Sequence, residues 1–214
     1  MNIVFLGVSS EDKKFVILCL AKIISCYKNV VIYSTTPYGC TNEKEYDYCG
    51  VEIYLIDKDA AIEPLLKEDT INLIDVEEYI SFDISFKAVA ICEISRSKLE
   101  RTLKLVNEFA WKDQSLDIVL VYLNILEYCK INEKYLDLYW EKELLSFANI
   151  LQKCIFIFDE TDRIIMVETQ FNERLSLKSM TKSFKSSLME MAKVLLDLEL
   201  KEIRKIFRKA ERVK

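Results

Sequence analysis

The chain has 214 residues, of which 51% are hydrophobic and 30% charged, and this composition excludes a disordered or collagen-like protein. It contains no histidine, which excludes Ser-His-Asp and Cys-His catalysis and any metal site that needs a histidine ligand. The net charge of −5 argues against a nucleic-acid-binding surface over the whole protein.

Apolar runs alternate with helical patterns along the chain. Helical spacing follows the first run in residues 15–27 and the fifth run in residues 97–111, and a long helix is predicted from residue 177 to the end. This alternation predicts an α/β fold, with a mainly parallel sheet of six to eight strands, helices on both faces and the first strand inside the sheet. The apolar runs that indicate buried strands are residues 3–8, 30–33, 51–56, 71–74, 88–92, 118–123 and 155–158.

Ligands of such folds bind beyond the carboxyl ends of the strands, so the segments to examine are residues 7–14, 34–38, 75–78, 93–96 and 124–126. Gly7 lies near the end of the first run and Lys13 beyond it, Asp75 follows the fourth run, and Asn124 follows the sixth. Three of these residues also have a purely structural interpretation. Lys13 fits a solvated first turn of a helix, Asp75 a helix cap and Asn124 a turn.

The seven cysteines contain no C-x-x-C pair, so no metal centre is expected. An odd number of cysteines predicts reduced thiols that pack as small apolar side chains. The predicted location is therefore the cytoplasm.

The order of these segments resembles the MinD/ParA family of deviant-Walker P-loop ATPases, which includes the CpaE/TadZ localisation proteins. In that family the first strand leads into a loop of the form G-K-G-G-V-G-K-T and then a helix with an L-A-K-like triplet. Here the loop reads GVSSEDKK, and the helix contains Leu20-Ala21-Lys22. The resemblance implies a three-layer P-loop fold over residues 1–195, with Gly7 at the first glycine and Lys13 at the phosphate-binding lysine.

The sequence departs from the family pattern in the phosphate loop, at the magnesium-binding hydroxyl and in the D-x-D-P motif. Ser10 and Asp12 replace glycines of the loop, and Lys14 replaces the hydroxyl residue that holds magnesium. The family's D-x-D-P motif is reduced to Ser-Thr-Thr-Pro at 34–37, without carboxylates. The resemblance still matches Asp75 to the magnesium-linked aspartate and Asn124 to the asparagine that reads adenine.

The resemblance and its gaps imply a degenerate member of the family. The expected protein is a pseudo-ATPase without a cofactor, which acts as a localisation or assembly adaptor through protein contacts or as a homodimer. The settings it suggests are pilus or secretion machines, partition and division positioning. The alternative is a nucleotide-binding switch or slow ATPase that binds ATP or ADP with magnesium, in which Gly7 and Lys13 contact phosphate, Asp75 magnesium and Asn124 adenine.

Residues 196–214 are predicted to form a basic amphipathic helix that extends the domain. Seven basic and two acidic residues fall between Lys201 and Lys214, and no aromatic residues alternate with them as base readout would need. The helix fits packing on the domain, pairing with a partner, or contact with the anionic inner face of a membrane. We expect its apolar stripe to be buried against the domain or a second subunit. The stripe comprises Leu196, Leu200, Ile203, Phe207 and Ala210.

Overall fold

The computed structural model of the protein describes residues 1–41, 43–57, 61–81, 83–113, 116–146 and 148–213. Eight strands form one sheet: β1 (Asn2–Leu6), β2 (Val30–Ser34), β3 (Glu45–Tyr48), β4 (Val51–Leu55), β5 (Ile71–Val76), β6 (Lys87–Glu93), β7 (Leu116–Ile125) and β8 (Ala148–Ile157). Six α-helices accompany it: α1 (Glu11–Ser25), α2 (Arg96–Asp113), α3 (Glu133–Glu143), α4 (Glu160–Asn172), α5 (Lys182–Leu196) and α6 (Leu200–Ala210). Short 3₁₀ turns lie at Glu63–Leu65 and Leu177–Ser179.

The sheet has the strand order β3-β4-β2-β5-β1-β6-β7-β8, and all neighbours are parallel except β3 and β4. The first strand lies between β5 and β6, inside the sheet. The predicted mainly parallel sheet of six to eight strands is therefore confirmed, as is the interior position of its first strand.

Helices cover both faces of the sheet, and each face has its own apolar core. One core contains apolar side chains of α1, α4, α5 and α6. The other contains apolar side chains of α2 and α3, which pack on the opposite face of the sheet. Helix α1 is apolar around most of its circumference because it contacts the sheet and also the helices α5 and α6.

The single helix predicted from residue 177 is wrong, because the chain turns twice there. The segment Leu177–Ser179 is a separate 3₁₀ turn, and Asp197 adopts a left-handed conformation (φ 55°) that ends α5 before α6 begins. Aspartate tolerates this backbone conformation better than most residues, so no glycine or proline marks the break.

The apolar stripe of the C-terminal segment packs on the domain itself. This is one of the two predicted alternatives, the other being a second subunit. Ile203 and Phe207 are buried in the core beside α1 and α5, with Ala210, whereas Leu200 is half-buried. Lys185 of α5 binds Glu211 at 2.7 Å and fixes the end of α6. Lys214, the last residue of the predicted 196–214 extension, lies outside the described residues. No helix among the described residues is long and apolar enough to cross a bilayer.

Candidate functional site

The connection between β1 and α1 is short, and hydrogen bonds to other groups of the chain hold it in place. Only residues 7–10 join the strand to the helix. Ser10 caps α1, and its hydroxyl oxygen accepts a hydrogen bond from the backbone nitrogen of Lys13 at 3.2 Å. The backbone nitrogen of Ser9 donates to Oε2 of Glu77 at 3.4 Å. Acceptors from the chain itself thus take two of the backbone donors that a phosphate loop could direct at its ligand.

Lys13 does not point into solvent. Its side chain is 1% exposed, and Nζ lies 2.6 Å from Oδ1 of Asp75. The ammonium group also donates to the carbonyl oxygens of Gly7 at 2.7 Å and Val76 at 3.0 Å. An ammonium group has three N–H donors, so these three acceptors satisfy it completely.

Asp75 is the centre of a buried polar cluster on the carboxyl side of β5. Its Oδ1 atom binds Lys13, and Oδ2 accepts a hydrogen bond from the Tyr38 hydroxyl at 2.9 Å. The Ser34 hydroxyl lies 3.4 Å from the same oxygen and donates a shorter bond, 2.7 Å, to the carbonyl of Thr36. Burial, reinforced by the neighbouring Asp75 carboxylate, holds the pKa of Tyr38 well above its usual range, so the phenol stays protonated as a donor.

The two acidic residues at the start of α1 bind α4. Oδ1 of Asp12 accepts a hydrogen bond from Nη1 of Arg163 at 2.9 Å, and Glu11 accepts one from Gln170 at 3.1 Å. Lys14 also pairs with Glu11 at 3.1 Å. Carboxylates are favoured at a helix N-terminus, where they interact with the positive end of the helix dipole. The place where an anionic ligand would be stabilised is therefore occupied by carboxylates that hold α4 over α1.

Asn124 lies apart from this cluster, near the end of β7, in a left-handed conformation (φ 57°). It borders a cavity of about 30 Å³ between β7, β8, α1 and α4, with Asp12 and Phe158 among the other lining residues. This volume is of the size that holds about one water molecule and is far smaller than a purine. Of the four predicted binding residues, the structure thus brings Gly7, Lys13 and Asp75 together. It places Asn124 away from them, on the cavity between β7, β8, α1 and α4.

The sequence selects Lys13, but it does not predict the hydroxyl groups that bind Asp75. Tyr38 was not distinguished from other turn residues, although its hydroxyl makes a shorter contact with the carboxylate than Ser34 does. Because Tyr38 precedes Asp75 by 37 residues, only the pairing of β2 with β5 brings the two regions together. Among the described residues no group of three or more Cys, Asp or Glu side chains is arranged to hold a metal ion.

Comparisons with known proteins agree with the architecture. No protein-family model matches the chain, and no curated protein matches it in sequence. Its structure is similar to the MinD cell division protein of Aquifex aeolicus, with a TM-score of 0.56, 12% identity, and coverage of 92% of this chain and 97% of that one. A MinC:MinD cell division protein complex of the same organism gives a TM-score of 0.58 at 12% identity, over 92% and 96% of the two chains.

A third structure is a putative plasmid partition protein of Borrelia burgdorferi B31 bound to AMPPNP. It gives a TM-score of 0.51 at 12% identity and covers 97% of this chain and 98% of that one. The likeness extends over nearly the full length of all three, so it concerns the whole sheet and its helices and not one motif. The chain therefore has the MinD/ParA-like, P-loop NTPase-type α/β fold that its order of segments predicted.

Proposed function

We propose that this protein is a pseudo-ATPase, which keeps the fold of the MinD and ParA-like ATPases but neither binds nor hydrolyses ATP. It acts instead as a cytoplasmic adaptor in localisation or assembly, through contacts with another protein. The observation that carries the proposal is the buried Lys13–Asp75 ion pair, in which both charges have a full set of partners inside the chain.

Binding a nucleotide phosphate through Lys13 would require this pair to separate. The ammonium group would give up Asp75 and two carbonyl oxygens, and the carboxylate would remain buried without its cation. Leaving one member of a buried pair without its partner costs about 3–5 kcal/mol. The carboxylates of Glu11 and Asp12, at the start of α1, would in addition repel the phosphate.

One expected magnesium ligand is missing at the same place. Lys14 stands where the resemblance expects a hydroxyl, and its Nζ lies 5.9 Å from the centre of the Tyr38 ring. Mg²⁺ binds oxygen ligands in a strict octahedron, which an ammonium group cannot join. Ser34 and Thr36 replace the carboxylates that would position an attacking water, so no base is provided for hydrolysis.

The adaptor part of the proposal is supported by the kind of protein that shares the fold. MinD forms a complex with MinC in one of the similar structures. A role in partition or division positioning, or in a pilus or secretion machine, is consistent with this fold. The partner we propose is a protein and not a nucleic acid, because the chain is acidic overall.

Isothermal titration of the full chain with ATP and with ADP, each with and without Mg²⁺, tests the proposal. We expect no binding heat in the titration. In parallel assays with the same nucleotides we expect no rise in melting temperature and no phosphate release above background. Saturable binding that Lys13→Met abolishes would replace the proposal with the nucleotide-binding switch. That second candidate draws on the position of Lys13 and Asp75 side by side at the carboxyl edge of the sheet.

A further inference from the structure

Helix α4 carries large apolar side chains on its solvent face. Ile164 is 57% exposed, Val167 40% and Phe171 83%. Their spacing of three and four residues places them in one row along the helix. The opposite side of the same helix already buries Ile165 and Met166 in the core. The row of Ile164, Val167 and Phe171, here called the α4 stripe, is therefore additional to the packing that holds α4 on the domain.

Acidic side chains flank the α4 stripe. Glu160 and Glu168 lie four residues before and four residues after Ile164, so they share its face, and both are exposed. Neither forms an ion pair within the part of the chain that the structure describes. Arg163, the basic residue of this helix, is bound to Asp12 of α1. The stripe thus has one carboxylate at its N-terminal end, Glu160, and one along one side, Glu168.

An open cleft of about 620 Å³ runs beside the C-terminal half of the stripe. Glu168 and Phe171 form one wall of the cleft, and Arg174, Ser176 and Ser179 lie in the segment that follows α4. A side chain of a docked partner can enter this recess while the partner's backbone lies along α4. The surface thus combines a flat apolar row with a neighbouring recess, as helix-binding grooves do.

We infer that the α4 stripe binds an amphipathic helix of another protein, whose own apolar row is flanked by lysine or arginine. Charge complementarity selects this occupant, because basic flanks would pair with Glu160 and Glu168 while the apolar rows pack together. The inference rests on the proposed adaptor role and gives that role its contact surface. The surface differs from the Lys13 site, so each proposal can fail without the other.

Charge also argues against a second copy of this chain and against a membrane. Two α4 stripes packed on each other would bring Glu160 and Glu168 against the same carboxylates of the second copy. The basic helix of the chain, α6, has no free apolar row to offer, because Ile203 and Phe207 are buried within the domain. Carboxylates beside the stripe would be repelled by an anionic lipid surface.

A designed peptide tests the inference with the full chain. The probe is a labelled helical peptide of about 18 residues, or five turns, with a leucine row flanked by lysines. A second peptide has glutamates in place of the lysines. Fluorescence anisotropy should show saturable binding of the first peptide and at least about tenfold weaker binding of the second. Equal affinity for the two peptides, or no saturable binding of the first, overturns the inference.

Variants of the chain locate the binding surface. Phe171→Ser and Glu168→Lys should each weaken binding of the lysine peptide by about tenfold. Leu138→Ser is the matched control, because Leu138 is a similarly exposed apolar residue (67%) on α3, and it should leave the affinity unchanged. Circular dichroism confirms that the variants fold, as expected for exposed positions. Equal weakening by Leu138→Ser would show that the α4 stripe is not the site.

Crosslinking in cells identifies the natural occupant. A photoreactive amino acid at position 167 of the full chain should capture a segment of another protein, and mass spectrometry should map it to a helix with an apolar row and basic flanks. Capture of a second copy of the chain overturns the inference. So does sedimentation with phosphatidylglycerol vesicles that Phe171→Ser abolishes, since the stripe would then bind lipid.

Discussion

A Cβ atom on Gly7 would lie 2.3 Å from the carbonyl oxygen of Ile91, closer than two such atoms can approach. Gly7 also has a φ angle of +152°, which side-chain-bearing residues rarely adopt. The residue after β1 is therefore a glycine because the backbone passes directly against β6. Packing alone accounts for the one glycine of this loop, without any contribution from a phosphate.

Gly7→Ala should strongly destabilise the fold. The new methyl group meets backbone, which cannot move aside as a flexible side chain can, so we expect a loss of about 2–4 kcal/mol in the free energy of unfolding. Urea unfolding followed by circular dichroism measures it. Val8→Ala, at the neighbouring half-buried position, should cost less than about 1.5 kcal/mol. Comparable losses for the two variants would argue against the close contact.

The Lys13–Asp75 pair should be strongly coupled. Lys13→Met leaves a buried carboxylate without its cation and should lower the free energy of unfolding by about 3–5 kcal/mol. Adding Asp75→Asn removes that unpaired charge, so the double variant should recover part of the loss. A double-mutant cycle in urea gives the coupling energy.

The control for this cycle is the exposed pair of Lys44 and Asp57, whose side chains are 76% and 72% accessible at a distance of 2.9 Å. Lys44→Met should change stability by less than about 0.5 kcal/mol. Additive effects of Lys13→Met and Asp75→Asn would contradict the geometry of the buried cluster.

Tyr38 should make stability fall in alkaline solution. Its pKa in the folded protein is raised by burial and then by Asp75, so above the ordinary tyrosine pKa of 10.0 the unfolded chain loses this proton and the folded chain keeps it. The contribution of Tyr38 to the free energy of unfolding is therefore complete below about pH 10. Above that pH it declines by about 1.4 kcal/mol per pH unit.

Tyr38→Phe isolates this effect. At pH 7 the variant should be less stable by about 1.5–3 kcal/mol, because Asp75 loses a hydrogen bond to its charged oxygen. Between pH 10 and pH 11 the difference from the parent protein should shrink, because the variant lacks the titrating phenol. Urea unfolding at several pH values gives the two curves. A constant difference across this range would show that the phenol is not buried against Asp75.

Removal of α6 should destabilise the domain without changing its oligomeric state. Phe207→Ala empties a position that is 4% exposed beside α1 and α5, with an expected loss of about 3–5 kcal/mol. Truncation after Asp197 should lower the melting temperature further. Arg208→Ala, on the exposed face of α6, should have an effect within about 0.5 kcal/mol. If truncation left the melting temperature unchanged but abolished sedimentation with anionic vesicles, α6 would be a membrane helix.

The sequence predicted the sheet well because most of its strands are continuous apolar runs. β3 was the exception, since its sequence EYDY is polar and it pairs antiparallel at the edge, where one side faces solvent. The end of α5 could not be predicted either, because Asp197 turns the chain without glycine or proline. Local sequence patterns indicate burial and periodicity. They do not predict a helix end at which a single residue adopts a rare backbone conformation.

The sequence selects three residues that the structure brings together, Gly7, Lys13 and Asp75, but it does not predict their arrangement. The resemblance to the MinD/ParA family selects Lys13 and Asp75, yet nothing local indicates that their charges satisfy each other at 2.6 Å. That outcome depends on the pairing of β1 with β5, which brings residues 62 positions apart into contact. Asn124 was selected by the same rule, but a different region of the sheet edge determines its surroundings.

The position of β1 in the sheet has a consequence for synthesis of the chain. Its neighbours are β5, which begins at Ile71, and β6, which begins at Lys87. At translation rates of about 5–20 residues per second, β1 waits roughly 4–15 seconds for β5 to be made. During that interval Ile3, Val4 and Phe5, which are fully buried in the finished protein, have no sheet to join. The central strand of the sheet thus needs protection from aggregation until its two neighbours have been synthesised.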